Sequence, residues 1–308
     1  MTAERTLILH IGTQKTASTL IRRFLKANVD RLAESDIRLV DRATLTESPF
    51  FGYLEKVTSG AVPVTDPVPE EIAANLAQMV DGPQSQVLMT SEILFHRLPL
   101  DDFYDRIADG LRLFQTLLPG WRIRVIFYVR VQKSFVESCY TQLLQMGKRV
   151  KFSVYTGGGV PTHLSWTRVC DDIAGVIGAE NLTVRPFEAI RDLGTEGFLH
   201  DFLLRLGLSP DQAGAFDFDE TLAEGKAANR GFSEVAVKMA RFTMPMVEPK
   251  DRKKLRKFLQ ENFSTEHYPR PVYFSEEQAT EMATFYRADN ARLFATYIPD
   301  QDPERLGY

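Results

Sequence analysis

The chain has little cysteine: two residues in 308, Cys139 and Cys170. Two thiols inside helix-like segments make neither a disulfide framework nor a zinc site, and they read as small buried residues of a reducing compartment. No apolar run approaches the roughly 20 residues needed to span a bilayer. Met1-Thr2-Ala3-Glu4-Arg5 leads straight into a strand-like run with no signal-peptide pattern, so the expected location is cytoplasmic. There is no surplus of positive charge either. Lys and Arg total 37 against 41 Asp and Glu, a net charge of −4, which argues against general nucleic-acid binding. Net charge says nothing about clefts, so a local basic pocket stays open. No internal repeat and no clear linker interrupt the chain, and one domain over 1–308 is expected.

What is present is an alternation of short apolar runs and helical periodicity. Thr6–Gly12, Ile37–Val40, Gln86–Thr90, Ile123–Val129 and Leu182–Phe187 read as strands. Between them the spacing predicts helices over about Ala17–Ala33, Glu70–Val80, Asp101–Leu118, Lys133–Met146, Leu164–Ile177 and Phe198–Leu206. After that the strand signal fades, and Ser233–Arg241, Arg252–Glu261 and Glu276–Tyr297 predict a mostly helical last third. The fold class is α/β: a P-loop-like parallel sheet flanked by helices on both faces. Thr44–Pro69, rich in Pro, Gly, Ser and Thr, reads as a long loop excursion carrying Phe50, Phe51 and Tyr53.

In such sheets ligands bind at the carboxyl ends of the strands, and three strand ends carry suggestive residues. After the first comes Gly12-Thr13-Gln14-Lys15-Thr16-Ala17-Ser18-Thr19, a tight turn opening a helix. Free backbone N–H groups and the positive helix end make an anion cradle. Lys15 adds a full charge, and Thr16, Ser18 and Thr19 add hydroxyl donors. This is not a Walker A loop, because Lys15 lies three residues past Gly12 with no second glycine before it. A loop this short suits one phosphate-like group and its neighbour. At the end of the fourth strand stands Arg130, with Ser138 eight residues on, about two helical turns into the next helix. A guanidinium suits bidentate phosphate contact. At the end of the third strand, Ser91-Glu92 leads toward His96; Glu92 is the candidate base, His96 the reserve, and His10, inside a strand, a weaker one.

Together these segments resemble the PAPS-dependent sulfotransferases, and bacterial sulfotransferase-domain proteins in particular. That family grips the 5′-phosphosulfate with a strand–loop–helix bearing Lys, Thr or Ser. It grips the 3′-phosphate with Arg-x7-Ser at a later strand and helix. Gln14, Lys15, Thr16, Ala17, Ser18 and Thr19 match the first signature, and Arg130 with Ser138 the second. Many relatives have Gly where this chain has Ala17; a helical backbone there, which Ala tolerates, is the expectation. The resemblance implies 3′-phosphoadenosine 5′-phosphosulfate (PAPS) as donor and an acceptor hydroxyl, on a saccharide or a lipid-linked molecule. It implies Glu92 or His96 as base and no obligatory metal. It also implies a basic loop closing over the nucleotide, for which Lys226, Asn229 and Arg230 are candidates. Trp166 and Phe187 are candidates to pack near the adenine, the alternative being core residues. The Thr44–Pro69 excursion and the 148–163 loop with Tyr155 are expected to line the acceptor pocket. Two other readings of the same start are a P-loop kinase of a nucleotide or small molecule and a non-catalytic nucleotide-binding protein.

Overall fold

The computed structural model describes residues 5–219 and 231–308. Its five strands are β1 (Thr6–His10), β2 (Ile37–Val40), β3 (Gln86–Thr90), β4 (Arg122–Val129) and β5 (Leu182–Pro186). They pair in the order β2-β3-β1-β4-β5, all parallel. The helices in chain order are α1 (Ser18–Ala27), α2 (Val29–Glu34), α3 (Arg42–Thr46), α4 (Pro49–Thr58), α5 (Glu70–Val80), α6 (Ile107–Leu117) and α7 (Gln132–Gln145). Then come α8 (Phe152–Tyr155), α9 (Trp166–Ile177), α10 (Ile190–Leu206), α11 (Pro210–Gly214), α12 (Glu234–Thr243), α13 (Arg252–Asn262), α14 (Glu276–Tyr297) and α15 (Pro303–Leu306).

Side-chain alternation sorts the two layers. Leu7 and Leu9 of β1 enter a core with α4, α5, α6 and α9, while Ile8 faces α1 and α10 on the other side. The strands are apolar on both faces, as a covered parallel sheet requires. The first core runs on into the last third, through Met282, Tyr286, Leu293 and Phe294 of α14 to Leu306. Two buried amides, Gln132 of α7 and Asn290 of α14, bond each other at 2.8 and 3.2 Å. The last third is helical as expected, and both cysteines are free and buried.

Several boundaries differ from the sequence expectation. The helix expected over Ala17–Ala33 begins at Ser18 and breaks at Asn28, whose side chain bonds Phe24 O and Asp217 O instead of continuing the turn. The one expected over Asp101–Leu118 starts only at Ile107, and that over Leu164–Ile177 at Trp166. The one expected over Phe198–Leu206 starts earlier, at Ile190, with a break at Gly194 (φ 67°).

The largest correction concerns Thr44–Pro69, which is not an open excursion. It contains the end of α3 and all of α4. Ser48 and Pro49, which read as loop formers, open α4, and Asp41 just before the segment caps α3. Asp41 accepts from Thr44 N at 2.8 Å, Ser48 accepts from Phe51 N at 3.1 Å, and Pro49 sits in the first turn of α4. Phe50 and Phe51 are buried, and Phe50 lies edge-on to Phe114 of α6. They are core residues and do not line a pocket, while the half-buried Tyr53 packs on the same core. Trp166 is likewise buried in this core, against Phe103, Phe127 and Phe135, and presents no surface to a ligand.

Truncating such a ring leaves a cavity that the helix pair can only partly refill. Phe51→Ala is expected to lower stability by about 3–5 kcal/mol, read as a drop in the urea unfolding midpoint. Tyr53→Ala should cost markedly less.

Candidate functional site

Parallel pairing places the ends of β1, β3 and β4 on one edge of the sheet. The chain leaves β1 toward β2 and leaves β4 toward β5, so connections diverge between the neighbours β1 and β4. A crevice opens at such a divergence. A cavity of about 670 Å³ lies there, lined by Lys15 from the loop after β1, Arg130 after β4 and Phe187 after β5. One face of α7 runs along it with Ser134, Glu137, Ser138, Thr141 and Gln145. Thr19, Leu20 and Arg23 of α1 form a second wall, and Gly231, Phe232, Arg256, Gln260, Thr265, Arg270 and Tyr273 of the last third form the opposite one.

The β1 loop owes its shape to two residues in the left-handed backbone region, Lys15 (φ 69°) and Ala17 (φ 62°, ψ 15°). The helical backbone expected at Ala17 is therefore corrected. A non-glycine residue there costs about 1–2 kcal/mol, because its Cβ crowds the backbone. The turn leaves the first N–H groups of α1 with no side-chain cap on them. Beneath the loop, a Cβ on Gly12 would sit 2.9 Å from His10 Nε2 and 3.1 Å from Thr16 Oγ1, so any larger residue would have to displace the buried His10 ring.

Of the loop residues singled out from the sequence, Lys15 and Thr19 reach the cavity. Gln14 is buried, and its amide donates to His96 O at 2.9 Å and Glu92 O at 3.3 Å, tying the loop to the segment after β3. Thr16 is buried with its hydroxyl donated to Thr13 O at 2.6 Å, and Ser18 is buried at the start of α1. Lys15 is exposed at the cavity, but the protein beside it takes part of its ammonium's solvent shell. That partial loss of solvent pushes its ammonium below the ordinary lysine value, with repulsion from Arg130 and Arg256 adding to it.

Arg130 and Ser138 both line the cavity, but the guanidinium bonds elsewhere. Nη1 donates to Lys15 O at 2.7 Å and Nε to Ser134 Oγ at 3.2 Å, and the group lies 4.9 Å over the Phe187 ring. Its backbone is pinned from behind. Trp166 Nε1 donates to Arg130 O at 2.8 Å, and Val131 N donates to Glu188 Oε1 at 3.1 Å. Glu188 Oε2 in turn accepts from Tyr308 OH at 2.8 Å.

Glu92 stands beside the loop at the end of β3, outside the cavity lining. Its carboxylate is held by Arg22 and, at 3.7 Å, by Arg42. His96 is buried against Phe103 and Tyr104 with Nε2 unpartnered, and burial lowers its pKa from 6.5 to about 4. His10 is buried too, with Nδ1 2.8 Å from Thr90 Oγ1; burial lowers its pKa to about 3. Lys226, Asn229 and Arg230 lie outside the described residues.

Sequence reasoning missed Arg23, Arg256 and Arg270. With Lys15 and Arg130 they put five cations around the cavity, against the single carboxylate of Glu137, which Lys133 pairs at 2.9 Å. Arg23, Arg256 and Arg270 form no ion pair with another described residue. Ser134, Ser138, Thr141 and Gln145 recur at helical spacing after Arg130, a signal present in the sequence. Nothing local marks Arg256 or Arg270, because helices far along the chain bring them in.

No family model matches the chain, and no curated protein matches it. Two solved structures resemble it. One is a sulfotransferase from Alicyclobacillus acidocaldarius, 13% identical, covering 99% of this chain and 100% of that one, with a TM-score of 0.47. The other is retinol dehydratase, solved with androsterone and the inactive cofactor PAP: 11% identical, 92% of this chain and 80% of that one, TM-score 0.37. Likeness of this degree does not bear on what the chain binds.

Two outcomes follow from this geometry. Ala17→Gly removes the Cβ from a left-handed position and should raise stability by about 1 kcal/mol, seen as a higher thermal midpoint. His10 and His96 stay neutral in the folded chain far below 6.5, whereas the unfolded chain protonates near that value. Stability is therefore full above 6.5 and falls as pH drops toward 4, by about 1.4 kcal/mol per unit for each histidine. His10→Gln should flatten that fall in urea titrations across the same range.

Proposed function

We propose that the chain transfers a sulfuryl group from PAPS to an acceptor hydroxyl, on a saccharide or a lipid-linked molecule. The observation that carries this reading is the meeting of Lys15 and Arg130, each within a motif resembling the family's, in one cationic cavity. That cavity falls in the size range of small-molecule and cofactor sites, about 300–1,000 Å³.

In this reading Lys15 and the free N–H groups of α1 hold the 5′-phosphosulfate. Arg130, with Ser134 and Ser138, holds the 3′-phosphate. The acceptor oxygen bonds to sulfur while the bond from sulfur to the 5′-phosphate oxygen breaks, and that bonding pair leaves with the phosphate. The acceptor proton passes to Glu92 once the hydroxyl has replaced Arg22 as a partner of its carboxylate, with His96 in reserve. Lys15 offsets charge growing on the leaving oxygen, which is positioning plus electrostatic stabilisation rather than covalent chemistry by the protein. No metal ion is required in this scheme.

Calorimetry with 3′-phosphoadenosine 5′-phosphate, and with ATP plus magnesium as control, tests it first. Tight binding of the bisphosphate and weak binding of ATP are expected; the reverse order would hand the site to a kinase. Arg130→Ala should weaken bisphosphate binding at least about tenfold, the loss of one charge-assisted phosphate contact. Lys15→Ala should lower turnover by about a hundredfold or more with a smaller effect on acceptor KM. Binding of the bisphosphate without transfer to any of a broad acceptor panel would favour a non-catalytic binder.

A further inference from the structure

Charge is unevenly spread over this chain. Residues 238–272 hold nine Lys and Arg against four Asp and Glu, and the 147–151 turn adds three cations and no acid, in a chain whose net charge is −4. The two segments adjoin: Arg252 Nη1 donates to Met146 O at 2.7 Å. On α13, Lys253, Lys254, Lys257 and Phe258 share the outward face, while Leu259 is turned into the core that also holds Val237 and Ala240 of α12. Lys254 pairs with Asp251 and Lys257 with Glu261, whereas Lys250 and Lys253 form no ion pair with another described residue.

The same stretch of chain exposes large apolar side chains. Phe242 at the end of α12 is 71% exposed, Met246 79% and Phe258 50%. Of the ten large hydrophobic residues that stand exposed among the described residues, five fall within 238–272. Single exposed apolar residues are ordinary, but this clustering is not. A dissolved polyanion would neutralise the lysines and gain nothing from Phe242 or Met246. An apolar protein partner would have to desolvate the lysines. Lysines interleaved with exposed Phe and Met suit the boundary of an anionic bilayer, where headgroups take the charge and the acyl edge takes the rings.

We propose that this face docks on an anionic lipid surface, with Lys250, Lys253 and Lys257 over the headgroups and Phe242, Met246 and Phe258 entering the boundary. Arg256 and Arg270, from the same segment, line the cavity, so docking holds its mouth beside the membrane. The inference does not rest on sulfuryl transfer.

Cosedimentation of the full chain with vesicles tests it. Vesicles of phosphatidylcholine alone are compared with an equimolar mixture of phosphatidylcholine and phosphatidylglycerol. Binding to the anionic vesicles alone, weakening as salt rises, is expected. Lys253→Glu with Lys257→Glu should reduce it by at least about tenfold. Phe258 touches the Phe263 ring, so Phe242→Ser, whose ring has no aromatic neighbour among the described residues, is the cleaner apolar variant. It should reduce binding several-fold with an unchanged circular dichroism spectrum. Equal binding to both vesicle types, or none to either, would overturn the proposal. So would full competition by soluble heparin together with no effect of Phe242→Ser, which would make the face a polyanion site. Bisphosphate affinity, measured on the same variants, should not change.

Discussion

The hydrogen bond from Arg130 Nη1 to the Lys15 carbonyl joins two loops that are far apart in sequence and adjacent only because β1 and β4 pair. It is charge-assisted, and it holds Lys15 in a left-handed backbone that such a residue does not choose by itself. The bond is worth having only if Arg130 is itself fixed. Trp166 supports its carbonyl, and Glu188 supports the next N–H, so an apolar core and a buried carboxylate just after β5 both end in the position of one guanidinium. Glu188 is buried and bonded to Tyr308, near the end of the chain, so the last third also contributes to the placement of the cavity's central cation.

That arrangement gathers like charge. Five cations around one cavity repel each other, and the chain's overall acidity does nothing to relieve them locally. Among the described residues none of the five has a carboxylate partner, so their mutual repulsion is left for an anion, if one binds, to relieve. The chain's stability should rise with any anion that fits, by mass action. The strain at Lys15 and Ala17 points the same way, since backbone held in sparsely populated regions concentrates where loops must present groups to a ligand. The neighbouring Glu92 stands apart from this economy, already neutralised by Arg22 and Arg42. Any proton transfer to it has to compete with those two partners.

Much of the architecture was legible in the chain because its strands are continuous apolar runs and its helices show clean periodicity. Where the reading failed, the same residue type served two purposes. Ser48 and Pro49 are turn formers by composition, yet they cap and open a helix, and the phenylalanines beside them fill the core. Asn28 broke a helix that periodicity carried through, because its side chain found a partner near residue 217 that no local pattern announces.

By itself the sequence determined the five strands, most of the helices between them, and the placing of Lys15 after β1 and Arg130 after β4. These follow from local rules: apolar runs, a glycine before a helix start, a cation at a strand end. Only the tertiary structure decided that the two residues share one cavity, that Ala17 is left-handed, that Gln14 and Thr16 turn inward, and that Glu92 is bound by arginines. It alone brought Arg256 and Arg270 to the opposite wall. Those outcomes depend on strand order and on helix packing across more than a hundred residues, and such long-range pairings leave no periodic trace in the chain.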